Sequence, residues 1–197
     1  LTSALPAGLL RFALADLPPE PWRNGGGLTR TVAAVHVGAA LRWRVSAADI
    51  TQDGPFSVFD GVDRQAVLMR GPGLVLHGPA NRWTFPALGD QQVFAGEMAV
   101  GAQLGAGPAR LWNVMVARGQ WRAEVQVHQQ THARLDPTRC GVLVVLAGQL
   151  QVGRTNEPAL LTLGAEEGLV LVDVAEPLQL QALAPQTHWI HTTLYAC

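Results

Sequence analysis

Glycine or proline interrupts the apolar segments of this chain about every ten residues, which leaves no room for a long amphipathic helix and predicts an all-β fold. In LRWRVSAADI, Leu41, Trp43, Val45 and Ala47 alternate with Arg42, Arg44, Ser46 and Ala48. That period of two predicts a strand with one buried apolar face and one polar, basic face. LTRTVAAVHV alternates too, setting Thr29 and Thr31 on one side, where both could share a pocket wall. Further strands are expected over 65–69, 73–77 and 93–100. After Trp121, the segments WRAEVQVH, GVLVVLAGQLQVG, GLVLVDVA, PLQLQALA and HWIHTTLY read as five more. Two β halves follow, 1–120 and 121–197, held in one compact unit with the break near Arg118 to Trp121.

Composition removes several function classes. All 14 basic residues are arginine; with no lysine, Schiff-base chemistry, a Walker-type phosphate loop and a lysine general base are excluded. Charged residues form 15% of the chain, against roughly 25% in ordinary soluble proteins. The net charge is −1 and the arginines are scattered, so no basic stripe for nucleic acid exists. Cys140 and Cys197 are the only cysteines, too few for a disulfide framework and not a CxxC pair; a reducing cytoplasm fits. LTSALPAGLL lacks a basic leader and no run reaches the length of a membrane span, so neither signal peptide nor membrane partner is expected.

Three stretches carry candidate binding chemistry. In WRNGGGLTR, Gly25, Gly26 and Gly27 permit dihedrals closed to other residues and let main chain approach a ligand; a simple tight loop explains them equally well. Trp22 can anchor the loop, while Asn24 and Thr29 offer donors and acceptors suited to a carboxylate or amide. In DGPFSVFDGVDR, Arg64 presents a planar fork matching a carboxylate, and a structural ion pair with a neighbouring acid is the competing reading. In ARLWNVMVARG, Asn113 and Met115 fall on one strand face and Trp112 and Val114 on the other. A buried Asn113 must have its hydrogen bonds met, by backbone or by ligand.

Catalytic and metal signals are weaker. His128 and His132 are four apart but lack a zincin glutamate, His188 and His191 fall on opposite strand faces, and His36 and His77 are isolated. No metal and no other cofactor is expected. Ser46, Ser57 and Cys140 sit in no nucleophile motif. The enzymatic alternative is a cofactor-free isomerase or hydrolase with Asp63 and Glu97 as acid and base in the same pocket.

PWRNGGGLTR, WRVSAADI followed by DGPFSVFDGVDR, FAGE, and LWNVMVARG resemble, in that order, the motif set of the HutD/Ves family over residues 1–120. VLAGQLQVG and the strands after it resemble a generic cupin half. The resemblance implies a bicupin fold and a role in bacterial histidine utilisation, through binding of urocanate or N-formimino-glutamate. It also implies a pocket built from Asn24, Thr29, Arg64 and Asn113, with Gly25, Gly26 and Gly27 giving backbone access. The family commonly carries an acidic residue where this chain has Thr31, so no carboxylate is expected from that position; its Phe-Gly-Asp run is FAGE here. The expected protein is a metal-independent, cytoplasmic binder of a small carboxylate-bearing metabolite. Its second half is available as a homodimer surface.

Overall fold

A computed structural model describes residues 5–197. Leu1–Ala4, the start of the stretch expected not to be a leader, lie outside the described residues. Among the described residues strands dominate, with one 3-10 turn at Leu14–Asp16. No helix among the described residues is long and apolar enough to cross a membrane.

The chain divides into two compact units. One comprises Leu17–Ala123 with Ala196–Cys197, the other Leu1–Asp16 with Glu124–Tyr195. The boundary therefore differs from a simple cut near residue 120. The strand Leu9–Ala13 pairs antiparallel with Glu167–Val174, Leu9 opposite Leu171 and Phe12 opposite Gly168. Leu9 and Phe12 are buried, so this N-terminal strand finds its apolar partners in the later half. A pairing of such long sequence separation leaves no local signal in the chain.

The unit Leu17–Ala123 holds two sheets. The larger runs in the order Glu20–Pro21, Gly27–Val37, Ala40–Ile50, Ala109–Ala117, Val62–Arg70, Gln91–Ala95. The smaller runs Gly54–Pro55, Gly101–Leu104, Leu74–His77, Arg82–Phe85. Leu68, Ala109 and Leu111 from the first meet Leu74, Leu76 and Phe85 from the second in one apolar cluster, which closes the two sheets over each other. The segment expected as one strand over 93–100 ends instead at Ala95, and the next strand begins at Gly101. Gly96 explains the break. A Cβ there would lie 2.6 Å from the Phe59 carbonyl oxygen and 2.9 Å from that of Val62, so only glycine lets the chain pass this close.

The second unit repeats the plan. One sheet runs Leu9–Ala13, Glu167–Val174, Thr138–Ala147, His188–Ala196, Trp121–His128, and the other His132–Leu135, Leu178–Ala182, Gln149–Gly153, Leu161–Gly164. Leu143, Val145, Leu150, Leu163, Leu180 and Trp189 pack between them.

Candidate functional site

Register decides what the large sheet of the first unit presents inward. Arg44 lies opposite Met115, Met115 opposite Arg64, and Arg64 opposite Phe94. One row along, Ser46 lies opposite Asn113 and Asn113 opposite Ala66. Paired residues share a face, so Arg44, Ser46, Arg64, Asn113 and Met115 point the same way as Leu68 and Leu111 of the core. The inward face is apolar toward one end and polar toward the other. The polar end encloses a cavity of about 570 Å³, lined by these five residues with Glu20, Trp22, Thr29, Phe56 and Phe59 among others. The polar side of LRWRVSAADI is thus an interior wall, and Ser46 is only 1% exposed.

Arg64 is the dominant group. Its side chain is buried at 5% exposure, and its guanidinium carbon lies 5.3, 5.7 and 5.0 Å from the ring centres of Phe56, Phe59 and Phe94. Nη1 donates to the Ser57 carbonyl and Nη2 to Asn113 Oδ1, both at a long 3.4 Å, and Nε has no partner. Among the described residues no carboxylate pairs with it. Burial, and then the nearby Arg44 charge, push its pKa down to about 10, which leaves it protonated at neutral pH. Three cation–π contacts supply about 0.5–2 kcal/mol each. Desolvating a lone guanidinium costs several kcal/mol, so the site as it stands is under-compensated.

Arg44 reinforces this charge. It donates to Met115 Sδ at 3.2 Å, stacks 5.4 Å from Phe59, and leaves its Nε buried and unpartnered. Burial lowers its pKa and the charge of Glu20 raises it.

The two threonines separate. Thr29 lines the cavity and accepts a hydrogen bond from Trp22 Nε1 at 2.9 Å, leaving its own hydroxyl proton free to donate inward. The Trp22 ring meets Phe56 edge-on at 5.4 Å, so the loop anchor is also a wall. Thr31 is not among the lining residues; the register shifts immediately after it, and its hydroxyl donates to Glu20 Oε1 at 3.4 Å. A carboxylate therefore does reach this spot, delivered by the neighbouring strand.

Asn24, Gly25, Gly26 and Gly27 are likewise outside the lining. Asn24 Oδ1 accepts from the Gly26 amide, and its Nδ2 donates to the Pro55 carbonyl, each at 3.0 Å. Gly25 has φ +72° and donates its amide to the Trp22 carbonyl, while the Trp22 amide donates to the Gly27 carbonyl. A Cβ on Gly27 would collide with the Asp49 carbonyl. The triplet shapes a tight turn, with the Gly25 and Gly26 amides consumed inside it. Of the expected site residues, the cavity brings together Thr29, Arg64 and Asn113.

Asp63 and Glu97, expected as acid and base in the same pocket, are placed elsewhere. Asp63 adjoins Arg64 on its strand and so projects from the opposite face. Both carboxylates bind Arg118, Asp63 Oδ1 at 2.7 Å from Nε and Glu97 Oε1 at 2.6 Å from Nη1. Hydrogen bonds from Arg118 hold the Glu97 pKa down to about 2. In FAGE the structural contribution comes from the glycine. Among the described residues no group of three His, Cys, Asp or Glu is placed to hold a metal ion.

Arg44 and Glu20 carried no mark of their own in the sequence. Arg44 was legible as one residue on a basic strand face, but nothing local paired it with Met115 and Arg64. Glu20 sits in a proline-rich stretch with no strand pattern.

Two antiparallel β units, one with a polar cavity at the end of its core, define a cupin-type protein. The chain belongs to the HutD family, whose model matches residues 14–190. It is 34% identical over 145 residues to Protein Ves of Citrobacter koseri, covering 72% of this chain and 75% of that protein. A Pseudomonas putida protein described as an uncharacterized 21.2 kDa protein in the hutC 3′ region is 35% identical over 137 residues, 67% of this chain and 70% of the relative. In structure the chain resembles HutD from Pseudomonas fluorescens SBW25, with a TM-score of 0.81 at 22% identity over 96% of this chain and 99% of that one. Bacillus subtilis oxalate decarboxylase shares the fold at a TM-score of 0.61 and 6% identity, over 99% of this chain and 81% of that one.

Proposed function

We propose that this protein binds a small carboxylate-bearing metabolite in the cavity of the Leu17–Ala123 unit and acts as a metal-independent modulator of histidine utilisation. Urocanate and N-formimino-glutamate are the candidate ligands. The carrying observation is Arg64, a buried guanidinium without a carboxylate partner, held among three phenylalanines. An incoming carboxylate supplies the missing counter-charge and takes the unused donors in a desolvated setting, where charge-assisted hydrogen bonds are strongest. Asn113 and Thr29 orient the remainder of the ligand, and the Asn24–Gly27 turn acts by fixing Trp22. The volume suits a metabolite of this size. Membership of the HutD family and the hutC-region relative support the pathway. The unbridged Cys140 and Cys197 suit a cytoplasmic setting.

Calorimetric titration of both acids into the protein tests the reading. Arg64→Met is expected to weaken binding by about 2 kcal/mol or more, roughly thirtyfold. Equal affinity in the variant and the parent protein would overturn the assignment.

A further inference from the structure

Glu20 is the single carboxylate among the residues lining the cavity, against Arg23, Arg44 and Arg64. It lies on the two-residue strand Glu20–Pro21, opposite Thr29. The one hydrogen bond of its side chain among the described residues comes from the Thr31 hydroxyl, at the long distance of 3.4 Å. No ion pair joins it to Arg23, Arg44 or Arg64 within 4.0 Å. An ionised carboxylate has about four acceptor sites, so most of its capacity is unused by the protein, and Glu20 is exposed where Arg64 and Asn113 are buried. Its field reaches Arg44, whereas the charge acting on Arg64 comes from Arg44. The cavity lining therefore joins a buried donor pole at Arg64 and Asn113 to an exposed acceptor pole at Glu20.

We infer that Glu20 is a specificity-determining residue that reads the far end of the ligand, favouring a carboxylate that also bears a cationic or hydrogen-bond-donating group over a plain dicarboxylate of equal length. The inference rests on the anion-binding reading of Arg64. A second carboxylate on the ligand would face Glu20 as a like charge, while an ammonium, amidinium or imidazole N–H would find an acceptor already open. Without Glu20 the cavity would hold three arginines and no acid, and would accept dianions best.

The test uses two probes of matched length, glutarate and 4-aminobutyrate, titrated calorimetrically into the wild-type protein, Glu20→Gln and Arg64→Met. Wild type is expected to bind 4-aminobutyrate about tenfold tighter than glutarate. Glu20→Gln, an exposed and nearly isosteric change, is expected to remove or reverse that preference, mainly by tightening glutarate. An unchanged affinity ratio in Glu20→Gln overturns the role of Glu20, even if Arg64→Met abolishes both probes and so upholds the anion pole. Full binding of both probes to Arg64→Met overturns the anion pole itself. Failure of 4-aminobutyrate to bind the wild-type protein overturns the role of Glu20, and failure of both probes overturns the anion pole as well.

Discussion

The two units share an architecture and differ in what fills it. In the second unit Leu143 and Val145 of Thr138–Ala147 and Trp189 of the neighbouring strand are fully buried in an apolar cluster, and His191 continues that row opposite Leu143. The corresponding rows of Ala109–Ala117 and Val62–Arg70 begin in the same style with Leu111 and Leu68, then switch to Asn113, Met115 and Arg64. One row is packed by aliphatic and indole side chains as far as His191; the other carries Asn113, Met115 and Arg64, which line a polar cavity. Burial of apolar area stabilises each unit by about 25 cal/mol per Å², so the cavity unit gives up stability where its polar side chains stand. What stands there instead is a preorganised, buried cation without a carboxylate partner among the described residues.

Exchanging the two kinds of interior breaks this comparison in either direction. Trp189→Ala hollows the filled unit, and a loss of about 3–5 kcal/mol in urea unfolding is expected, since a fully buried indole leaves a cavity its neighbours cannot collapse into. A loss below about 1 kcal/mol would mean that the unit is loosely packed. Arg64→Met does the reverse. Alongside the thirtyfold loss of carboxylate binding, stability is expected to rise by about 1 kcal/mol, because an unpaired buried charge is replaced by an apolar chain of similar length. A marked fall in stability would instead make Arg64 a structural cation satisfied by its three rings.

The contrast was only half visible in the amino-acid order. Alternation in 41–50 separated Trp43, Val45 and Ala47 from Arg44 and Ser46, and the structure keeps that separation. It did not reveal that both faces are covered, because a polar residue beside a cavity and a polar residue in water give the same pattern. Asn113 was legible as a polar interruption of an apolar run, and Arg64 as a fork suited to an anion. Arg44 and Glu20 enter the site through pairings between distant strands, which periodicity cannot encode. Asn24 and the glycine triplet stand outside the cavity lining for a physical reason. The dihedral freedom and side-chain donors that suit a ligand loop are those a self-bonded turn needs, and the turn consumes them.

Acid distinguishes the units by a smaller amount. His191 lies in the filled unit, where burial first and the neighbouring His128 second hold its pKa near 4, with Glu124 opposing the shift. His128 is itself lowered by burial and stacks on Trp189 with ring centres 3.9 Å apart. The unfolded chain takes up a proton on His191 as pH falls through about 6.5, while the folded chain refuses it until about pH 4. The stabilisation is therefore complete above pH 6.5 and lost progressively down to pH 4, on the order of 3 kcal/mol. Urea unfolding at pH 7.0, 5.5 and 4.5 measures it. His191→Gln should flatten that acid limb, and an equally steep limb in the variant would place the sensitive group elsewhere.

The smallest expected effect is the one that separates binding from the acid–base alternative. Asp63 and Glu97 grip Arg118 outside the cavity lining, and a carboxylate held near pKa 2 by two guanidinium hydrogen bonds is a poor proton acceptor at neutral pH. The pair is solvent-exposed, where such contacts contribute little to stability. Asp63→Asn and Glu97→Gln should therefore leave the calorimetric affinity for urocanate and N-formimino-glutamate unchanged, and mass spectrometry of either acid incubated with the protein should show no turnover that depends on these residues. Turnover abolished by either substitution would move the chemistry to the opposite face of the Val62–Arg70 strand and leave Arg64 a bystander. The outcome hinges on which of two adjacent residues, Asp63 or Arg64, the ligand meets.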